Sequence, residues 1–108
     1  MTAAQAIELR IPLTTSERRG IRFDFTGYDI GTFSAATVVV YDLSTTPRTD
    51  VTSTVMPVNA PIPAPPYVVT SLFWADAATA GRTYRVECLV QHGAGERSDL
   101  WIDVVVIE

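Results

Sequence analysis

The stretch that most constrains this fold is Arg82 to Ile107, two long runs of alternating residues joined by a glycine-containing turn. In the first run Tyr84, Val86, Cys88 and Val90 share one parity, while Arg85, Glu87 and Gln91 hold the other. This period of two is the signature of a strand with one dry face. In the second run Leu100, Ile102, Val104 and Val106 repeat it. Gly93 and Gly95 accept positive φ without a Cβ penalty, so the stretch between Gln91 and Arg97 suits a hairpin loop of about four or five residues. At about 3.3 Å per residue each arm reaches about 30 Å. The rest of the chain must pack against this hairpin.

Upstream, Ile7, Leu9, Ile11 and Leu13 alternate with Glu8, Arg10 and Pro12, which predicts a first strand over residues 6–13. Pro12 lacks an N–H and places that strand at a sheet edge. After the polar turn TTSERR, Ile21, Phe23 and Phe25 alternate with Arg22, Asp24 and Thr26 as a second strand. TGYDIGTFS reads as a loop. Ala36 to Leu43 is a third strand with apolar residues on both parities, Val38 and Val40 on one and Val39, Tyr41 and Leu43 on the other. Such a strand is either covered on both faces or turned toward something outside the domain. STTPRTD is a turn, Val51 to Met56 alternates with Ser and Thr as a short fourth strand, and Tyr67 to Trp74 is a fifth. Between these last two lies PVNAPIPAPP, residues 57–66, too rich in proline for a helix or a central strand. In polyproline II geometry it spans about 30 Å. It therefore reads as a connector crossing between sheets or following an edge, with a docking arm for another subunit as the alternative.

A chain of 108 residues makes a single domain, residues 1–108, large enough to bury a core. Hydrophobic residues make up 47% and charged residues 19%, a low charge fraction for a free monomer, which leaves surface for a partner. A net charge of −4 argues against nucleic-acid binding, which rests on clustered cations. One cysteine makes no internal disulfide, and Cys88, on the inward parity, reads as an apolar filler. The opening MTAAQAIELR has no apolar signal-peptide core, and no stretch approaches the roughly eighteen apolar residues of a membrane span. The chain is expected to be made in the cytoplasm, without export by a visible signal and without a membrane partner.

The chemistry-bearing residues are few. His92, the single histidine, sits beside the hairpin glycines without a second His or Cys nearby, and is expected to be an exposed, inert turn residue. Asp99 and Asp103 flank Trp101 on the outward parity, but four residues along a strand is about 13 Å, wider than the roughly 5–9.5 Å between glycosidase carboxylates. Trp101 stacking on a sugar between those aspartates remains an alternative; the plainer reading is a tryptophan covering the sheet or an interface beside solvated neighbours. Asp24 and Asp29 lie around a loop without calcium-loop spacing, and there is no phosphate-binding glycine loop or nucleophile elbow. The expectation is a protein that is not an enzyme, with no catalytic residue, metal site or cofactor.

The excess of apolar groups on the second parity is what remains. Val39, Tyr41, Trp101, Val105 and Ile107 cannot all be core if Val40, Leu100, Ile102 and Val104 are; exposed together they would form a protein-contact patch, and covered by a loop or the Pro-rich segment they would form none. The run from Ala80-Gly81 to Tyr84 resembles the corner where a fibronectin type III or immunoglobulin-like chain enters its penultimate strand, with the tyrosine hydroxyl bonding back to nearby backbone. With no helical periodicity, the pattern predicts an all-β, immunoglobulin/fibronectin-III-like antiparallel β-sandwich of about seven strands.

Ala80-Gly81, Tyr84, Val86, Val90, Gly95, Arg97, Leu100, Ile102 and Val104 together resemble the closing hairpin of small immunoglobulin-like virion proteins of tailed bacteriophages, including fiber-tail adaptors. The opening IELRIPL followed by GIRFDF is similar in style to sandwich modules of phage baseplate proteins. The resemblance implies a non-enzymatic part of the virion: a tail-fiber or head-tail adaptor, or a capsid decoration subunit. It would contact other virion proteins and act as a homo-oligomer or in several symmetric copies. A carbohydrate-binding or adhesion module built on Trp101 is the alternative.

Overall fold

The structure is a computed structural model and describes residues 10–27, 32–33, 35–93 and 95–107. Its strand segments follow the chain as β1 (Arg10–Thr14), β2 (Arg18–Arg19), β3 (Arg22–Asp24), β4 (Ala35–Asp42), β5 (Thr49–Asp50), β6 (Ile62–Ala64), β7 (Tyr67–Val69), β8 (Phe73–Trp74), β9 (Thr83–His92) and β10 (Glu96–Ile107). The fold is all-β. One helical turn at Thr52–Val55 and one 3-10 turn at Ala75–Ala77 are the helical segments among the described residues.

The β9–β10 hairpin lies at the centre of a five-stranded sheet ordered β1-β10-β9-β4-β5. Val86 pairs with Ile102 on one side and Val40 on the other, which puts the inward-facing valines of three strands in one row. β1 runs parallel to β10, so the sheet is mixed rather than antiparallel throughout as expected. It pairs with the last strand and not with its sequence neighbour; the direction of such a pair depends on chain reversals in between, which alternation does not encode. Pro12 lies in β1, the outermost strand of that order. The expected strand residues 6–9, and part of the loop at 26–34, fall outside the described residues.

Opposite this sheet, β3, β7 and β6 form an antiparallel three-stranded sheet in the order β3-β7-β6, and β2 pairs with β8. These two ladders are one ladder interrupted by a bulge. Between the Arg22–Val69 and Arg19–Phe73 pairs, Gly20 and Ile21 face three residues, Thr70 to Leu72. The Thr70 hydroxyl holds the break, accepting the Ile21 N–H at 2.9 Å and donating to Ser71 O at 2.7 Å. A Cβ on Gly20 would sit 3.3 Å from Thr70 O, so glycine lets the two backbones approach. The expected strand Tyr67–Trp74 is therefore two strands, and Arg18-Arg19, expected in a turn, pairs with the second of them.

The expected strand Val51 to Met56 is instead a helical turn, Thr52–Val55, with its two flanking residues. The Asp50 carboxylate accepts the Thr52 N–H at 3.0 Å and its hydroxyl at 2.6 Å, and such local bonds turn the backbone away from a ladder. Val55 and Met56 are both buried, which successive residues of a strand facing one core cannot be.

Inward residues of both layers meet in one apolar cluster. Val38, Val40, Val86, Val90 and Val104 from the large sheet lie against Phe23, Val68 and Phe73 from the opposite layer, all buried. Each such side chain contributes about 1.5–3 kcal/mol relative to exposure. Phe73 meets the Tyr84 ring edge-on, with centroids 5.9 Å apart. The open edge of β4 beyond β5 is closed by side chains: the Thr52 hydroxyl accepts the Val40 N–H at 2.8 Å, and the Asn59 amide donates to Val38 O at 2.8 Å. The Pro-rich segment 57–66 passes from this edge to the opposite layer, where residues 62–64 become edge strand β6.

Candidate functional site

The five expected contact residues lie on the outer face of the five-stranded sheet, held there by strand parity. Val39, Tyr41, Trp101 and Val105 are half-buried, and Ile107 is 44% exposed. They do not form one continuous apolar patch, because β9 runs between β4 and β10 and contributes charge. Trp101 pairs with Glu87, which pairs in turn with Val39; Asp103 pairs with Arg85, which pairs with Tyr41.

Two guanidinium groups organise this face. Arg85 forks onto Asp103, with Nε donating to Oδ1 at 2.9 Å and Nη2 to Oδ2 at 3.2 Å, and its guanidinium carbon lies 5.3 Å from the Trp101 ring centre. Arg48 donates to Glu87 Oε2 at 2.8 Å while lying 3.9 Å above the Tyr41 ring. Stacking and pairing together hold these long side chains in one geometry. Asp103 is only 4% exposed, so it is not the solvated neighbour of Trp101 that parity suggested, whereas Asp99 is exposed.

His92 is not an exposed turn residue either. It ends β9 with a side chain 12% exposed, on the parity that faces the core. Its Nε2 lies 2.9 Å from Ser98 Oγ, and Nδ1 lies 3.7 Å from Glu96 Oε1. The order carboxylate, imidazole, hydroxyl is that of a nucleophilic triad. The geometry here is that of a plug at the end of the core: the Glu96 contact is longer than a hydrogen bond. The adjoining open cleft of about 420 Å³ is lined by Thr32, Phe33, Ala35, Gln91, His92 and Gly93, so Ser98 is not among its described lining residues. Cys88 is fully buried, and burial pushes its thiol up to about 12. Among the described residues no group of three or more His, Cys, Asp and Glu is placed to hold a metal ion, and no helix is long and apolar enough to cross a membrane.

At the expected corner the Tyr84 hydroxyl accepts the Thr79 N–H at 2.8 Å. Gly81 takes φ +87° and donates its N–H to Val106 O at 2.8 Å. A Cβ there would meet nothing, so glycine is needed for the backbone conformation alone.

A second surface was missed by the sequence reading. On the outer face of the opposite layer, Ile62 is 63% exposed, Leu72 50% and Val69 38%, and Ile62 and Val69 are direct cross-strand partners. Arg22, which pairs with Val69, lies 4.6 Å above the Tyr67 ring. Farther along, Arg18 lies 3.7 Å above Trp74 and forks onto Asp76 at 3.0 and 2.8 Å. The parity of Tyr67 and Val69 against Val68 carries part of this signal. The bulge at Thr70 to Leu72 hides the rest, because it breaks the alternation. No family model, curated protein or solved structure matches the chain.

Proposed function

We propose that this protein is a non-enzymatic structural subunit of a tailed-bacteriophage virion, a tail-fiber or head-tail adaptor or a capsid decoration subunit, acting through protein-protein contacts. Its domain is read as an immunoglobulin-like sandwich. The strand order supports that reading: β10, β9, β4 and β5 correspond to the G, F, C and C′ strands of such domains, and β3, β7 and β6 to B, E and D. The Tyr84 hydroxyl bond and Gly81 fall where the tyrosine corner of those domains falls.

The observation that carries the functional reading is the outer face of the large sheet. Tyr41 and Trp101, each attended by an arginine, stand on the long central strands of a rigid sheet. Tyr, Trp and Arg are the residues enriched where protein contacts concentrate their energy. Repetition of the subunit lets modest contacts add up. The carbohydrate-binding alternative draws less support, because Asp103 is already committed to Arg85, whose guanidinium lies over the Trp101 ring.

The test is incorporation into particles. Purified virions of the encoding phage should contain the protein in multiple copies, and a Trp101→Glu variant supplied in trans should fold but be depleted from them at least tenfold. Particles that lack the parent protein would refute the assignment. Normal incorporation of the variant would remove this face from it.

A further inference from the structure

The outer face of β3, β7 and β6 is apolar, exposed and charge-balanced. Its rows run Arg22–Val69–Ile62 and Asp24–Tyr67–Ala64 across the three strands, with Leu72 exposed beyond the first row. Arg22 and Asp24 are neighbours on one strand face, both exposed, about 7 Å apart along the chain. Their partners differ from those on the other sheet. Arg48 and Arg85 form ion pairs with Glu87 and Asp103 of their own chain, whereas the carboxylate of Asp24 accepts the Thr26 N–H at 2.8 Å and feels the nearby Arg22 charge, and the guanidinium of Arg22 rests on Tyr67.

A surface with one cation and one anion beside an apolar stripe is complementary to itself under a two-fold rotation, since each charge of one copy then meets the opposite charge of the other. The chain as a whole carries −4, so two copies repel one another unless they meet where the charges balance. Both outer faces are balanced in this sense, and this one also leaves Ile62 and Val69 exposed. Addition of a strand at the β6 edge is disfavoured, because its central residue, Pro63, has no N–H to donate.

We propose that this face is the contact between two copies of the chain: about a two-fold axis that crosses β3 between Arg22 and Asp24, Ile62 and Val69 of each copy pack on Ala64 and Tyr67 of the other, and Arg22 of each copy pairs with Asp24 of the other. It is separate from the Trp101 face, and the proposal does not rest on the virion assignment.

Sedimentation and light scattering of the purified full chain over a concentration range up to millimolar test it. The parent protein should show a monomer–dimer equilibrium. Val69→Arg should weaken it by at least about a hundredfold, and Arg22→Glu or Asp24→Arg alone by about tenfold each, about 1.4 kcal/mol. The double variant Arg22→Glu/Asp24→Arg should regain most of the loss, which a merely unfolded or over-charged surface would not. Circular dichroism should show all four variants folded. A parent protein that stays monomeric throughout overturns the proposal. So does a dimer abolished by Trp101→Glu and untouched by Val69→Arg, or a double variant no better than the singles.

Discussion

Asp42 is kept ionised at the end of β4 although it is only 4% exposed. Burial opposes the charge, but the Ser44 hydroxyl and N–H and the Arg82 guanidinium, 2.7 Å away, bond the carboxylate and hold its pKa below the ordinary value. A depressed folded-state pKa gives stability that is present above the unfolded value of about 3.9 and is lost as pH falls through the folded one. Asp42→Asn should therefore lower stability at neutral pH by about 1–2 kcal/mol, and its deficit should shrink as the pH drops below about 4, which denaturant melts at both pH values will show. Tyr84→Phe keeps the ring against Phe73 but leaves the Thr79 N–H without its partner, with an expected loss of about 1 kcal/mol by the same measurement. Parity alone placed Tyr84 and Cys88 inward and Tyr41 and Trp101 outward. It carried no word of Arg48 and Arg85, whose partners are distant in sequence, nor of the Asp103 carboxylate sinking beneath one of them.

At the level of elements, alternation specified the long hairpin, where seven or more residues repeat the period, and an apolar run on both parities specified β4. Short segments were decided by side chains that bond the backbone. Asp50 and Thr52 turn Thr52–Val55 into a helical turn, and Thr70 with Gly20 breaks one expected strand into β7 and β8. Thr52 has a further task, because its hydroxyl is the acceptor for the Val40 N–H on the open edge of β4. Thr52→Val keeps the shape and removes that acceptor, so it should cost about 1–2 kcal/mol and hasten amide exchange at Val40, measured by hydrogen-exchange NMR. On the hairpin, Arg85→Ala leaves Asp103 buried without its fork. Breaking a fully buried pair costs about 3–5 kcal/mol; Arg85 is partly exposed, so a loss of about 2–3 kcal/mol is expected in chemical denaturation.

The whole molecule measures 41 × 26 × 21 Å, a slab with two broad outer faces. Each face carries aromatic rings under arginines, but the two differ in how far their charges are already satisfied and in how much apolar surface they leave to water. On the two proposed contacts, one on each side of the slab, a copy would join a like chain and a different one at the same time, which is the geometry that repeated assemblies use. Self-association couples to folding by mass action, since a dimer of folded chains draws the equilibrium away from the unfolded state. The melting temperature of the parent protein should accordingly rise with protein concentration in calorimetry. That dependence should vanish in Val69→Arg and persist in Trp101→Glu, because only the first change touches the face proposed for the contact between two copies.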